Sequence, residues 1–228
     1  MILRLVLCAA MVGSIALAKD YDAKAFKWLS RQQELDLSAT VPPPPAPGSS
    51  QDKADLAAIL EAQKTRTPDM IAESKRDQKF GYELMEPVYG SNLTPDKYPK
   101  FHRLLKTVLA TTYMVNETAK GKYHRPRPYE GHPDVVHSLF PVGGYSYPSG
   151  HSMGSYTLAT VLGAVFPDKK QAFLDRAAQV AQSRVNAGVH YPSDIAEGEA
   201  LGKATGAAIL ASPAFQSDLA EVQAELKK

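Results

Sequence analysis

Cysteine is almost missing from this chain: of 228 residues, only Cys8 is one. A single thiol excludes an internal disulfide and any thiolate metal cluster. An excess of charge of one sign is missing too. Lysine and arginine number 26 against 24 aspartates and glutamates, a formal net charge of +2. So small an excess argues against a nucleic-acid partner. Long hydrophobic runs are scarce. Beyond the N-terminus the longest extends from about Ser155 to Phe166 and stops at Pro167-Asp168-Lys169-Lys170. That is short of the ~20 residues that cross a bilayer, so no membrane association is expected there. Alternating strand patterns are nearly absent, and no internal repeat is visible. No Asp, Glu and His cluster has metal-ligand spacing, so neither a metal nor another cofactor is expected.

What is present begins with MILRLVLCAAMVGSIALAKD. Arg4 is a short basic start, Leu5 to Leu17 is largely apolar, and Ala16-Leu17-Ala18 is an A-x-A cleavage site. Residues 1–18 therefore read as a secretory signal peptide. Cleavage after Ala18 removes Arg4 and Cys8, leaving 25 basic against 24 acidic residues. The expectation is an exported, periplasmic protein that holds together without disulfides. A hydrophobic content of 44% and a charged content of 22% suit a globular core. Residues 19–50 read as an N-terminal segment with a possible short helix over 23–29. It ends in VPPPPAPGSS, whose four successive prolines favour a polyproline strap. Residues 51–228 read as one domain.

That domain is expected to be all-α, a single-domain helical bundle with its active site at helix ends and connecting loops. Leu56, Ile59, Leu60, Met70 and Ile71 recur at helical spacing between Asp52 and Arg76, interrupted by Pro68. Thr94-Pro95-Asp96 reads as the start of a helix running to about Thr118. Residues 121–148, rich in proline and glycine, form a long irregular segment, of the kind that often carries function. Helices follow over 149–166, over 168–187 with a stop near Gly188, and over 192–210 with Pro192 in the first turn. The last carries Gly198, Gly202 and Gly206 among alanines, which permits close helix packing. Trp28 reads as a packing anchor and His102 as a packed or solvated helix residue.

Unusual residues collect at three helix boundaries. The first is KGKYHRPRP, residues 120–128, where Lys120, Lys122, Arg125 and Arg127 stand among prolines. They suit either a solvated basic loop or a preorganised anion clamp. The second is SYPSGHS, residues 146–152. Ser149 is a good helix cap, and Gly150 lets a bound group approach the first free N–H groups of the helix. An anion site is possible there, as is an ordinary capped helix. The third is SRVNAGVHYPSD, residues 183–194. Asp194 falls in the first turn of a helix and can reach back to His190. A carboxylate on one ring nitrogen orients the other and makes it more basic, as a nucleophile or base requires. Taken together, Lys120, Arg127 and Arg184 supply cations, Ser149 and the Gly150 N–H supply neutral donors, and two histidines remain. That set suits phosphoryl transfer, which needs neutralised equatorial oxygens and groups in line on both sides.

K-x6-RP, PSGH and SR-x5-H-x3-D, in this order, resemble the three-part signature of the type 2 phosphatidic acid phosphatase superfamily. They lie at Lys120–Pro128, Pro148–His151 and Ser183–Asp194. The export signal, the proline run and the short chain resemble its secreted branch, the class A bacterial non-specific acid phosphatases. The resemblance implies that His190 attacks phosphorus and forms a phosphohistidine, oriented by Asp194. It implies that His151 protonates the leaving alcohol and then activates water. Lys120, Arg127, Arg184, Ser149 and Gly150 would bind the phosphoryl oxygens. The substrates would be small phosphate monoesters of broad range, with phosphotransfer to other alcohols possible and a homo-oligomeric state suggested. His151 would have to start protonated and His190 neutral, which predicts a bell-shaped pH profile. Candidate walls for the leaving group are His124, His132, His137, Tyr129, Phe140, Tyr145 and Tyr147. The competing reading is a vanadium-dependent haloperoxidase, since vanadate has the shape of phosphate. In that enzyme the residue at His190 would ligate vanadium.

Overall fold

The computed structural model describes residues 26–228. The signal peptide expected over 1–18, with Cys8, lies outside the described residues. Among them there is no strand. Ten α-helices follow in order: α1 (Arg31–Ala39), α2 (Ser50–Thr65), α3 (Pro68–Arg76), α4 (Glu86–Tyr89), α5 (Pro99–Lys120), α6 (Pro128–Gly131), α7 (Gly150–Val165), α8 (Lys170–Asn186), α9 (Pro192–Leu210) and α10 (Pro213–Leu226). Two 3-10 turns, Tyr82–Met85 and Pro167–Lys169, complete the chain. The all-α bundle expected from the sequence is the fold observed.

α7 is the central post. Met153, Leu158, Ala159, Val161 and Leu162 are wholly buried, as a helix apolar on all sides must be. α8 covers one side through Phe173, Ala177 and Ala181, and α5 another through Phe101, Leu105 and Val108. α10 closes the bundle with Phe215, Leu219 and Val222. Each such large side chain stabilises the fold by about 1.5–3 kcal/mol. α9 lies closest to α7. A Cβ on Gly198 would sit 2.6 Å from the Ser149 carbonyl oxygen. Only glycine admits that approach, and it brings the starts of α7 and α9 together. Ser149 N–H then donates to the Asp194 carbonyl at 3.0 Å, tying the two helix starts.

Residues 26–50 share this core. Trp28 and Leu29 join the main cluster, and Trp28 Nε1 donates to Asp218 at 2.8 Å. Val41 is buried against Tyr147 and Val115. The proline strap is held from beneath: Tyr123 donates to the Val41 carbonyl at 2.6 Å and Tyr147 to that of Pro42 at 2.9 Å.

Several boundaries differ from the sequence expectation. The helix expected from Thr94 begins at Pro99, with Tyr98 before it. Thr94 instead closes a turn, accepting from Lys97 and Tyr98 N–H. Pro99 explains this: four residues after Pro95 it has no N–H to give, and its ring would strike the Pro95 carbonyl. Of the helix expected over 23–29, residues 26–29 form turns and bends, and 23–25 lie outside the described residues. The helix starts later, at a capping box between Ser30 and Gln33. α10 was not expected at all. α9, by contrast, occupies the span read from the sequence. Gly188, at φ 72°, closes the turn after α8 in the left-handed region, where glycine is favoured.

Candidate active site

The site lies where α5 ends, where α7 and α9 begin, and where the long 121–148 segment folds back over them. A cavity of about 150 Å³ opens there. Lys120, Arg127, Gly150, His151 and His190 line it, five of the residues singled out in the sequence. Ser149, Arg184 and Asp194 stand behind this wall, all essentially inaccessible. Phe80, Thr112, Tyr113, Asn116 and Val142 complete the lining. A larger cavity of about 720 Å³ is bordered by Arg76, Asp77, Lys79, Glu83, Glu86 and Arg176. It holds neither histidine, so the chemistry belongs to the smaller one.

The tautomer of His190 follows from its neighbours. Its Nε2 is 3.1 Å from Arg127 Nη1. A guanidinium only donates, so Nε2 must accept and the ring proton sits on Nδ1. Nδ1 faces Asp194 Oδ2 at 3.4 Å and Ser146 Oγ at 3.4 Å. Asp194 is itself fully engaged. Oδ2 accepts from Tyr191 N–H at 2.8 Å and from the Ser146 hydroxyl. Oδ1 accepts from Arg125 Nη1 at 2.7 Å. The carboxylate therefore cannot swing, and the Nε2 lone pair points into the cavity beside Arg127.

The cations are held by backbone carbonyls. Arg127 donates to the carbonyls of Gly143, Gly144 and Val189 at 2.8, 2.9 and 2.9 Å. Lys120 Nζ donates to the Tyr145 carbonyl at 2.5 Å. Arg184 Nη1 donates to the Asp77 carbonyl at 2.7 Å. Its Nε and Nη2 are buried with no hydrogen-bond partner. Nearly all buried polar groups are paired. A guanidinium with two buried donors unused is a fork suited to an oxyanion.

Electrostatics point the same way. Burial, reinforced by Arg127, pushes the Lys120 ammonium down to about 8. Burial and then the neighbouring Arg127, opposed by Asp77, bring Arg184 down to about 10. Burial holds His190 far below the usual imidazole value; Asp194 opposes this, while Arg127 and Lys120 add to it. Burial, then Arg184 and His190, hold His151 well below it too. Burial alone would raise Asp194, but His190, Arg125 and Ser146 more than offset that and keep it ionised. Burial disfavours each cationic form here, and Arg127 adds to that for Lys120, Arg184 and both histidines, so an anion among them would offset it. Among the described residues no group of three or more His, Cys, Asp or Glu is arranged to hold a metal ion.

None of the aromatic and histidine residues expected to wall the leaving group lines the cavity. Tyr147 is buried under the strap, and Tyr145 is half-exposed with its ring 4.4 Å from that of His124. Tyr129 binds Val142 backbone through its hydroxyl. Phe140 lies under the Arg184 guanidinium at 5.2 Å. His132 ends α6, and His137 holds Gln63 through its backbone. Sequence reading also missed partners. Ser146 and Arg125 stand inside the quoted stretches, yet nothing in their spacing showed which carboxylate they would meet. Asp77 and Gln78 act through carbonyls, Gln78 at 3.2 Å from His151 Nε2, and carbonyls leave no trace in a sequence.

Both histidines and two of the cations thus share one cavity at helix starts in an all-α bundle. Residues 102–217, about half of the chain, match the PAP2 superfamily, and the chain belongs to that family. It is 29% identical over 208 residues to the non-specific acid phosphatase of Salmonella typhimurium, covering 86% of this chain and 82% of that one. It is 26% identical over 212 residues to that of Providencia stuartii, covering 88% and 85%. Among solved structures, a bacterial vanadium-dependent iodoperoxidase superposes with a TM-score of 0.65 at 17% identity. That match covers 80% of this chain but only 54% of the peroxidase, and is a likeness of fold. No described helix is long and apolar enough to cross a membrane.

Proposed function

We propose that this chain is an exported acid phosphatase that hydrolyses phosphate monoesters through a phosphohistidine on His190. The observation that carries the reading is the geometry of His190. Its proton is held on Nδ1 by Asp194, and its Nε2 faces a cavity shared with His151, Lys120 and Arg127. The acid phosphatase names of the Salmonella and Providencia relatives, which match nearly the whole chain, support it.

In the proposed reaction the phosphoryl oxygens take donors from Lys120, Arg127, Arg184 and the Gly150 N–H, with Ser149 shaping that helix start. Nε2 attacks phosphorus as the bond to the ester oxygen breaks. His151 gives its proton to the departing alkoxide. Water then attacks the phosphohistidine, His151 takes a proton from it, and phosphate leaves. An alcohol in place of water gives phosphotransfer. Burial holds His151 below the ordinary imidazole value in the free chain, so its charged form needs the substrate's negative charge beside it. A phosphate monoester loses its second proton near pH ~6. A bound monoanion can therefore hand its proton to His151, whose charged form the substrate then stabilises. Activity on the acid side of neutrality follows. The signal sequence supports a periplasmic location, and the non-specific acid phosphatase names of the Salmonella and Providencia relatives support broad tolerance of leaving groups. A homo-oligomer remains the reading for the assembly.

The test is hydrolysis of p-nitrophenyl phosphate near pH 6 in excess EDTA, by the mature protein and by His190→Ala. Turnover that survives EDTA, is lost in the variant, and leaves an alkali-stable, acid-labile phosphoenzyme on quenching supports the proposal. Turnover that EDTA abolishes overturns it. So does vanadate-dependent oxidation of iodide by peroxide without phosphatase activity.

A further inference from the structure

The family match begins at residue 102, yet the catalytic carboxylate is held from much earlier in the chain. Asp55 lies on α2 with its side chain wholly buried. A buried carboxylate is costly unless paired, and Ile59, one turn on, shows that this face could have been apolar. Asp55 accepts from Arg125 Nη2 at 2.9 Å, from Ser193 N–H at 3.1 Å and from the Ser193 hydroxyl. The same guanidinium donates through Nη1 to Asp194 at 2.7 Å and to Ser193 Oγ at 2.8 Å. Its Cζ lies over the Tyr191 ring, 4.0 Å from the centroid. One buried cation thus stands between two buried carboxylates.

We infer that Asp55 is a positioning residue for the His190–Asp194 pair, acting through Arg125; this rests on His190 being the nucleophile. The reason is charge balance. Attack converts neutral His190 into a cationic phospho-imidazolium whose Nδ1–H faces Asp194. Arg125 alone would neutralise Asp194 and leave little negative charge for that cation. Asp55 takes up half of the guanidinium, so that Asp194 keeps charge to offer His190. The other groups facing His190 are Arg127, Lys120 and His151, all cationic or neutral, with Ser146 the remaining hydroxyl. Arg125 also faces Asp52, at 3.5 Å on the rim.

The experiment is Asp55→Asn, which keeps size and removes the charge, with Asp52→Asn as the rim control. Expected is a fall in kcat of about tenfold with KM within about threefold. The acid limb of kcat/KM should move to lower pH, because loss of a negative charge makes protonated His190 less favourable. Asp52→Asn should do little. In nitrogen-labelled histidine spectra the Nδ1–H signal of His190 should move in Asp55→Asn, whether or not the protein turns over phosphate. An unmoved signal and a pH profile that overlays wild type overturn the inference, even if the melting temperature falls. If Asp55→Asn does not fold, Ser193→Ala removes one hydroxyl anchor of Asp55 and must show the same, smaller shifts or the inference fails. Absence of wild-type turnover with a moved His190 signal refutes the phosphatase reading alone.

Discussion

Asp194→Asn separates stability from chemistry at the centre of this site. The carboxylate takes four donors: Arg125 at Oδ1, and Tyr191 N–H, Ser146 and His190 at Oδ2. An amide has one oxygen. If that oxygen keeps Arg125, the NH2 faces the Tyr191 N–H, donor against donor. If it keeps Tyr191 and Ser146, the NH2 faces the guanidinium instead. Breaking a buried ion pair by removing one partner costs about 3–5 kcal/mol. Asp55 still neutralises Arg125, so the lower end applies here. For a chain of this size each kcal/mol moves the melting temperature by ~2–4 °C, which places the fall at roughly 6–12 °C. Catalysis should suffer separately. Of the two amide placements, the second sets a donor against a cation and is the costlier. The NH2 is therefore expected at the Oδ2 place beside His190 Nδ1. There it favours the other tautomer and puts a proton on Nε2, against Arg127 and in the line of attack. Loss of the orienting carboxylate in a comparable triad lowers kcat ~10⁴-fold, and about 10³–10⁴-fold is expected here. Thermal unfolding reads the first effect and ester hydrolysis at a temperature well below melting reads the second. A variant that melts early but turns over at the wild-type rate would refute the tautomer assignment, and with it the role of Asp194.

Stability should fall with pH. His190 and His151 are held neutral below the ordinary imidazole value. Between the unfolded value near ~6.5 and those lower folded values, the unfolded chain binds protons that the folded chain does not. Stability from these groups is therefore full above about pH 6.5 and lost as pH falls below it. Melting curves from pH 8 to 5 should show the loss, and added phosphate should reduce it; a flat melting temperature contradicts the burial of neutral histidines. Gly198→Ala places a methyl 2.6 Å from the Ser149 carbonyl. Overpacking of this kind costs about 1–3 kcal/mol, and kcat should fall with it because the start of α7 moves; unchanged kinetics would mean that α7 and α9 are not tightly coupled. Arg176 anchors Asp77 and donates to the Leu84 carbonyl at 2.9 Å. Arg176→Gln should loosen the 77–80 segment that touches Arg184 and His151, lowering kcat more than stability. Equal kcat for the two proteins counts against any control by that segment. Trp28→Phe should cost about 1 kcal/mol for the lost hydrogen bond to Asp218 and leave kcat and KM untouched.

The amino-acid order by itself marked residues that line one cavity and showed where most helices lie. Proline at the first turn of α9, glycine after α8 and a serine cap before α7 are local rules, satisfied within a few residues. Lys120, Arg127, Gly150, His151 and His190 were legible because chemistry gathers at those ends. The start of α5 was misread because Thr94-Pro95 is a valid cap locally, and only Pro99 overrules it. The tertiary structure alone decided the partners. Arg125, one basic residue in a loop of four, became the link between Asp55 and Asp194, 139 positions apart, because the 121–148 segment folds under α2. Arg184 was marked as a cation, but its two unused donors exist only because burial took water from them. His151 was required to start protonated, yet burial first, and then Arg184 and His190, hold it below the ordinary imidazole value. Spacing along a chain fixes what a residue can reach within a helix turn. Desolvation and the sign of neighbouring charges are set by packing, and those decide what the residue can do.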